Sequence, residues 1–226
     1  SAVCAAAGAA AFVLVERRAR DPLLPLGLLR RPAFVIANGV AGVMNLASLG
    51  LLFVLTLYLQ EVRHDRALAA GIALLPLFVP LSVLAPVGGR IVARTGSRAP
   101  MLGGLLLAAA GVGLLTLSGA ATGYLTLLPA LVLWGVGLAF ITPAVVSAAV
   151  SAVPAGRAGL GSAVNNTTRQ AAWAIGIAAF GAIASAPDGP RFVHGFHTVA
   201  VIAAMLFLVA AAATLTLPRA GAEDGR

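Results

Sequence analysis

Six blocks of roughly twenty or more apolar residues, almost free of charge and joined by short polar segments, decide what this chain can fold into. They run over 32–59, 68–91, 100–118, 124–150, 159–184 and 197–217. A helix needs about 20 residues to cross a hydrocarbon layer about 30 Å thick, so each block is long enough to span. A core helix of a water-soluble protein shows a polar face at every turn, and these do not. Charge points the same way: 10% of residues are charged and the mean hydropathy is +1.01, whereas about 25% of a soluble domain is charged. The expected fold is an all-α integral membrane bundle of six complete transmembrane helices. Short joints make successive helices antiparallel.

The run 1–15 is too short to cross comfortably, and no positive segment precedes it as in a signal peptide. It reads as the end of a further transmembrane helix that began upstream, which places the missing part N-terminal. Residues 16–31 form an arginine-rich linker containing Asp21-Pro22-Leu23-Leu24-Pro25-Leu26. Two prolines forbid a regular spanning helix there, and leucines beside arginines suit a segment lying in the interface. The six-helix unit occupies 32–217, and 218–226 forms a tail. The single cysteine, Cys4, offers neither an internal disulfide framework nor a metal cluster, and is expected to pack as a small apolar residue.

A net charge of +8 and a pI of about 11.6 would suit a nucleic-acid-binding protein, but the distribution argues against one. All the basic residues are arginine, and they lie between the blocks with few aromatic neighbours to stack on bases. Alternating spans assign the joints to two sides. One side collects Arg17, Arg18, Arg20, Arg30, Arg31, Arg90, Arg94, Arg98, Arg157, Arg219 and Arg226; the other holds Arg63, Arg66 and Arg191. Cytoplasmic loops carry the basic excess, so the first side and the C-terminal tail are expected in the cytoplasm.

The remaining arginine, Arg169, lies inside the fifth block, about 15 Å along its helix and near mid-membrane. An arginine there costs about 2.5–3.5 kcal/mol on insertion scales, and such residues are functional by default, with a purely structural anchor as the alternative. No aspartate or glutamate falls in any of the six blocks. Its partner is then water, a substrate, a backbone carbonyl, or a carboxylate of the missing upstream part. At 100° per residue, Ser162, Asn166, Arg169, Trp173 and Gly176 form one stripe, while Thr167 and Thr168 point away. In the first block Asn38, Asn45 and Thr56 share a face. For the asparagines, hydrogen bonding between helices and substrate contact both stand. Pro76, Pro80 and Pro86 in the second block, and Gly135, Ala139 and Pro143 at four-residue spacing in the fourth, suit close helix packing, and also the rocking of helices in a transport cycle. His64, His194 and His197 read as solvated loop residues in or beside external joints, without metal-ligand spacing. No block holds a Ser/His/Asp set, so catalysis within the membrane has no machinery.

The stretch Gly89-Arg90-Ile91-Val92-Ala93-Arg94-Thr95-Gly96-Ser97-Arg98 resembles the loop signature of the major facilitator superfamily. That signature reads Gly, three residues, Asp-Arg, one residue, Gly-Arg-Arg or Lys, between the second and third helices of a six-helix half. Gly89, Arg94, Gly96 and Arg98 match it, while Ala93 replaces the aspartate and Ser97 the first basic residue. The wider chain is similar to the fourteen-helix drug:proton antiporters of that superfamily (the EmrB/QacA type). The similarity rests on Pro22 to Leu26 with Arg30 and Phe34, on Tyr58 to Val62, on Ala70-Gly71 with Leu74-Leu75-Pro76, and on Asn165 to Gln170 with Gly176.

The resemblance implies that 1–15 ends the eighth helix and that the six spans are helices nine to fourteen, a C-terminal half. It implies proton-coupled efflux of small molecules by alternating access, in the plasma (inner) membrane, without a cofactor and without catalysis. The partners would be the lipid bilayer, the upstream helices, a small-molecule substrate and protons, and no nucleic acid. Asn38, Asn45, Ser162, Asn166, Arg169 and Trp173 would wall the substrate cavity. The indole of Trp173 could face a cationic ligand, although Arg169 one turn away disfavours a cation. Transport of anionic or zwitterionic metabolites therefore stays open, as does a non-transporting membrane scaffold. The family's coupling carboxylates lie mainly in its first half, and none is carried over.

Overall fold

The computed structural model describes residues 26–119, 122–154, 156–184 and 189–217. The expected helix end at 1–15, most of the 16–31 linker and the 218–226 tail lie outside the described residues. A short 3-10 turn, Leu26–Arg30, leads into α1, Pro32–Leu57, with Pro32 in the first helical turn where its missing N–H costs nothing. α1 runs on through a widened π-turn, Tyr58–Val62. Then follow α2 (Ala67–Ala73), α3 (Leu75–Thr95), α4 (Arg98–Leu114), α5 (Leu127–Ser151), α6 (Ala158–Ala184) and α7 (Gly189–Thr214). Every described regular element is helical.

The structure departs from the sequence reading at three places. The block expected as one helix over 68–91 is two, divided at Leu74. Pro76 sits in the first turn of α3 and has no N–H to continue the ladder of α2, so Leu74 closes a tighter turn onto Gly71 O at 3.2 Å. The expected joint 92–99 shrinks to Gly96 and Ser97, because Val92 is buried and α3 continues to Thr95. The expected joint 185–196 is helical from Gly189, which places His194 inside α7 and His197, expected at the start of the last span, about two turns into it. His197 is no solvated loop residue. It is half-buried, with Nε2 2.6 Å from the carbonyl of Ser118; a carbonyl only accepts, so Nε2 carries the proton of that bond. His64 is exposed, as expected, and holds a positive φ of 58°.

Among the described residues, five helical stretches are long and apolar enough to cross a membrane: Pro32–Val62, Leu75–Thr95, Arg98–Leu117, Tyr124–Ser151 and Pro190–Thr214. α6 has the length, 27 residues, but its polar run Asn165 to Gln170 lowers its hydropathy. Much of the outer surface is apolar: Leu75, Val79, Val83, Val87 and Ile91 along α3 are all exposed. A water-facing monomer rarely shows so continuous a stripe. The chain has a multi-pass, membrane-type fold.

The bundle is held by backbones in near contact. The most extensive pairings are α1 with α6, α4 with α5, and α3 with α5. A β-carbon on Gly50 would stand 2.6 Å from Gly176 O, and one on Gly176 would strike the carbonyl of Leu46. The four-residue stripe of α5 faces α3. A β-carbon on Gly135 would strike the carbonyl of Leu77, and one on Gly88 would lie 2.5 Å from Ala139 O and 3.3 Å from Pro143 Cγ. Small residues here let membrane helices pack by direct van der Waals contact.

Cross-links gather at two ends. At one, Arg31 Nη1 donates to Ala152 O at 3.4 Å and Arg98 Nη2 to Leu215 O at 2.7 Å. At the other, Arg63 Nη1 donates to Thr122 O at 2.8 Å and Tyr58 Oη to Gly119 O at 2.9 Å, with Phe196 stacked 4.8 Å from Tyr58. This up-and-down arrangement agrees with the pairing of joints expected from alternating spans.

Candidate functional site

Arg169 stands eleven residues past the start of α6, about 16 Å along a helix roughly 40 Å long. Its side chain reaches a cleft of about 170 Å³ between α1, α3, α5 and α6. The walls are Met44, Asn45, Ser48, Leu49 and Leu52 from α1, Leu77, Phe78 and Leu81 from α3, and Trp134, Leu138 and Thr142 from α5. The guanidinium Nε is buried and has no hydrogen-bond partner. Among the described residues, no carboxylate or carbonyl answers this cation.

Two more lining groups share its condition. Ser48 Oγ and Trp134 Nε1 are buried and unpaired. Leaving such a group unsatisfied costs about 1–3 kcal/mol, and more for a charge. Three of the five buried unpaired side-chain atoms among the described residues thus belong to residues of one cleft.

The predicted site residues divide. Asn45 and Arg169 line the cleft together. Asn45 Nδ2 donates to Ala41 O at 2.9 Å, one turn back in its own helix, so its amide nitrogen is already committed. Asn38 is buried but does not line the cleft; its Nδ2 donates to Phe34 O at 2.9 Å, and its Oδ1 accepts a long bond, 3.4 Å, from Asn165 Nδ2. Thr56 bonds Leu52 O in the same intrahelical way. Ser162, Asn166 and Trp173 are exposed, Trp173 by 46%, on a face of α6 that flanks the buried stripe of Gly161, Asn165, Gly176 and Phe180. They do not line the cleft.

The sequence reading missed Ser48 and Trp134. Ser48 follows Asn45 by three residues and so shares its helix face, a signal available from spacing. Trp134 gave a weaker one: an indole in the middle of an otherwise apolar block carries an N–H that burial must leave paired or functional.

The loop-signature residues form a corner. Gly96 closes α3 with φ 77°, a conformation glycine adopts without strain. Arg98 starts α4 and bonds the carbonyl of Leu215 at the end of α7, a cation at a helix C-terminus. Arg94 is exposed and Gly89 partly so.

Comparison with known proteins places this architecture. The chain is 33% identical over 182 residues to the multidrug resistance protein Stp of Mycobacterium tuberculosis, an overlap of 80% of this chain and 34% of that protein. It is 34% identical over 197 residues to the puromycin resistance protein pur8 of Streptomyces alboniger, covering 85% and 39% respectively. Against the lincomycin resistance protein of Streptomyces lincolnensis it is 31% identical over 217 residues, covering 93% and 45%. The chain thus spans between a third and a half of the length of these relatives. A model of the Major Facilitator Superfamily, a group of transporters rather than enzymes, matches residues 2–177. With more than half its length matched and apolar helices packed as a multi-pass bundle, the chain belongs to the major facilitator superfamily.

Proposed function

We propose that this chain is the C-terminal half of a fourteen-helix, proton-coupled exporter of small amphipathic compounds that works by alternating access. One observation carries the reading: Arg169, a permanent cation, lines a cleft between four helices with no carboxylate among the residues that wall it. A cost of that kind is retained in a membrane helix where the charge meets a substrate or a moving partner. The names of the relatives, which confer resistance to puromycin, lincomycin or several drugs, suggest substrates of similar kind. The six-span count includes α6. Its roughly 40 Å exceeds the hydrocarbon thickness, and Arg169 on it faces the cleft rather than lipid. The arginine bias sets the end holding Arg31 and Arg98 in the cytoplasm of a plasma-membrane protein.

Arginine does not deprotonate in proteins, and 32–59, 68–91, 100–118, 124–150, 159–184 and 197–217 contain no acidic residue. On this reading a carboxylate of the upstream half carries the proton, and the site is completed by both halves. Substrate sites near the midplane, between rocking repeats, follow that logic.

The test is transport by the complete polypeptide in proteoliposomes under an imposed pH gradient. Movement of puromycin, lincomycin or ethidium against its gradient, abolished by a protonophore, is the expected result. A folded preparation that moves none of the three would favour the scaffold reading and overturn this one.

A further inference from the structure

Ser48, Trp134 and Arg169 come from α1, α5 and α6; all three line the same cleft, and each has a buried polar atom without a partner among the described residues. Their chemistry is one-sided. An indole N–H and a guanidinium only donate, and a hydroxyl donates or accepts. Ser48 is 7% exposed and Trp134 fully buried, so neither is wetted from the bundle surface. The rest of the wall is largely apolar, from Met44 and Leu52 to Phe78 and Leu138.

Resting on the transport reading, we propose that this cleft is a subsite for acceptor oxygens, such as a carboxylate, phenolate or carbonyl, and that it rejects a bare cation. An acceptor group seated in the cleft would offer Ser48, Trp134 and Arg169 the oxygens they lack, once the side chains turn to meet it. A cation would meet Arg169 at short range in a medium of low dielectric, with no carboxylate among the described residues to offset the repulsion. At roughly 30 Å³ per water, a cleft of about 170 Å³ holds about six waters. It therefore takes a headgroup, while the apolar body of an amphipathic compound rests on the leucine wall. The oxygens have two available sources, the exported compound and a carboxylate of the upstream half, and both satisfy the donors by the same chemistry.

Thr142 lines the same cleft and is half-buried. Thr142→Cys, in an otherwise cysteine-free version of the complete polypeptide, places a thiol there and leaves the three donors intact. Its alkylation by N-ethylmaleimide in membranes reads occupancy whether or not anything is exported. Fluorescein, with carboxylate and phenolate oxygens, is expected to slow alkylation, and ethidium, a cation without acceptor oxygens, is not. Adding Trp134→Phe or Arg169→Gln should raise the fluorescein concentration for half-protection by about tenfold, the effect of losing one strong hydrogen bond.

If an upstream carboxylate supplies the oxygens, fluorescein gives no protection. Replacing that carboxylate by its amide then speeds alkylation several-fold, and Arg169→Gln adds no further increase. Equal protection by ethidium and fluorescein overturns the proposal, as does a rate insensitive to fluorescein and to every upstream carboxylate. Protection by fluorescein in a protein that exports nothing would keep the subsite and reject the transport reading alone.

Discussion

Replacing Arg169 by alanine in the complete polypeptide is expected to lower drug export by about tenfold or more while leaving the protein inserted and folded. Among the described residues the guanidinium Nε has no hydrogen-bond partner, so its removal breaks no hydrogen bond at that atom and relieves a cost of about 2.5–3.5 kcal/mol. A structural anchor would behave in the opposite way, losing folded protein and activity in parallel. Hydrogen bonds to a charged group are worth about 1.5–3 kcal/mol, so loss of the one that holds substrate should lower export by about tenfold or more. Arg169→Lys should be intermediate, because lysine keeps the charge and loses the planar fork of donors. Whole-cell dye efflux beside the yield of monodisperse protein separates the two roles. Normal export by well-expressed Arg169→Ala sinks the functional role of this residue.

The second large effect lies in packing, where one chemical change should act in opposite directions at two kinds of site. Gly176→Ala would drive a β-carbon into the carbonyl of Leu46, and Gly135→Ala into that of Leu77. Both obstacles are backbone, so the helices themselves must separate. Overpacking typically costs about 1–3 kcal/mol and more where nothing can yield. Each variant should therefore lose most of its folded protein on extraction. Gly103→Ala is the control: on the same scale of substitution, nothing lies within 4 Å of the added carbon. Alanine is favoured over glycine within a helix by about 0.5–1 kcal/mol, so Gly103→Ala should match or exceed the thermal stability of the parent. Equal loss in all three variants would contradict the packing described for α1 with α6 and α3 with α5.

Most of the architecture was legible because lipid imposes a simple rule. Every spanning backbone must satisfy itself, so long uncharged blocks become helices, and the blocks expected from 32 to 217 correspond in order to α1 to α7. The errors fall where that rule is silent. The break at Leu74 needed the position of Pro76 relative to the ladder, and the early start of α7 put His197 against Ser118 rather than in solvent. The four-residue stripe of Gly135, Ala139 and Pro143, which suits both close packing and helix rocking, lies at the contact with α3.

The candidate site was only half legible. Arg169 and Asn45 stood out because polar groups are rare in such blocks, and they meet at the cleft. The rotation of α6 was not readable to within one residue. A 100° step separates Asn165, buried against Asn38, from Asn166, which is exposed. The stripe drawn through Ser162, Asn166 and Trp173 therefore flanks the face that packs. Ser48 and Trp134 escaped because a small hydroxyl and an indole do not interrupt an apolar block. Only the convergence of three helices shows that their polar atoms lack partners.

Access to the cleft from the two sides of the membrane tests the central claim most directly. Leu49 is a half-buried wall residue on α1. Leu49→Cys, in a cysteine-free version of the complete polypeptide with Cys4 replaced by alanine, can be challenged with a membrane-impermeant thiol reagent in right-side-out and inverted vesicles. Alternating access predicts labelling in both orientations, with an imposed pH gradient raising the rate from one side while lowering it from the other. A rate that is the same with and without the gradient, or labelling from one side only under every condition, would contradict a transport cycle built around this cleft.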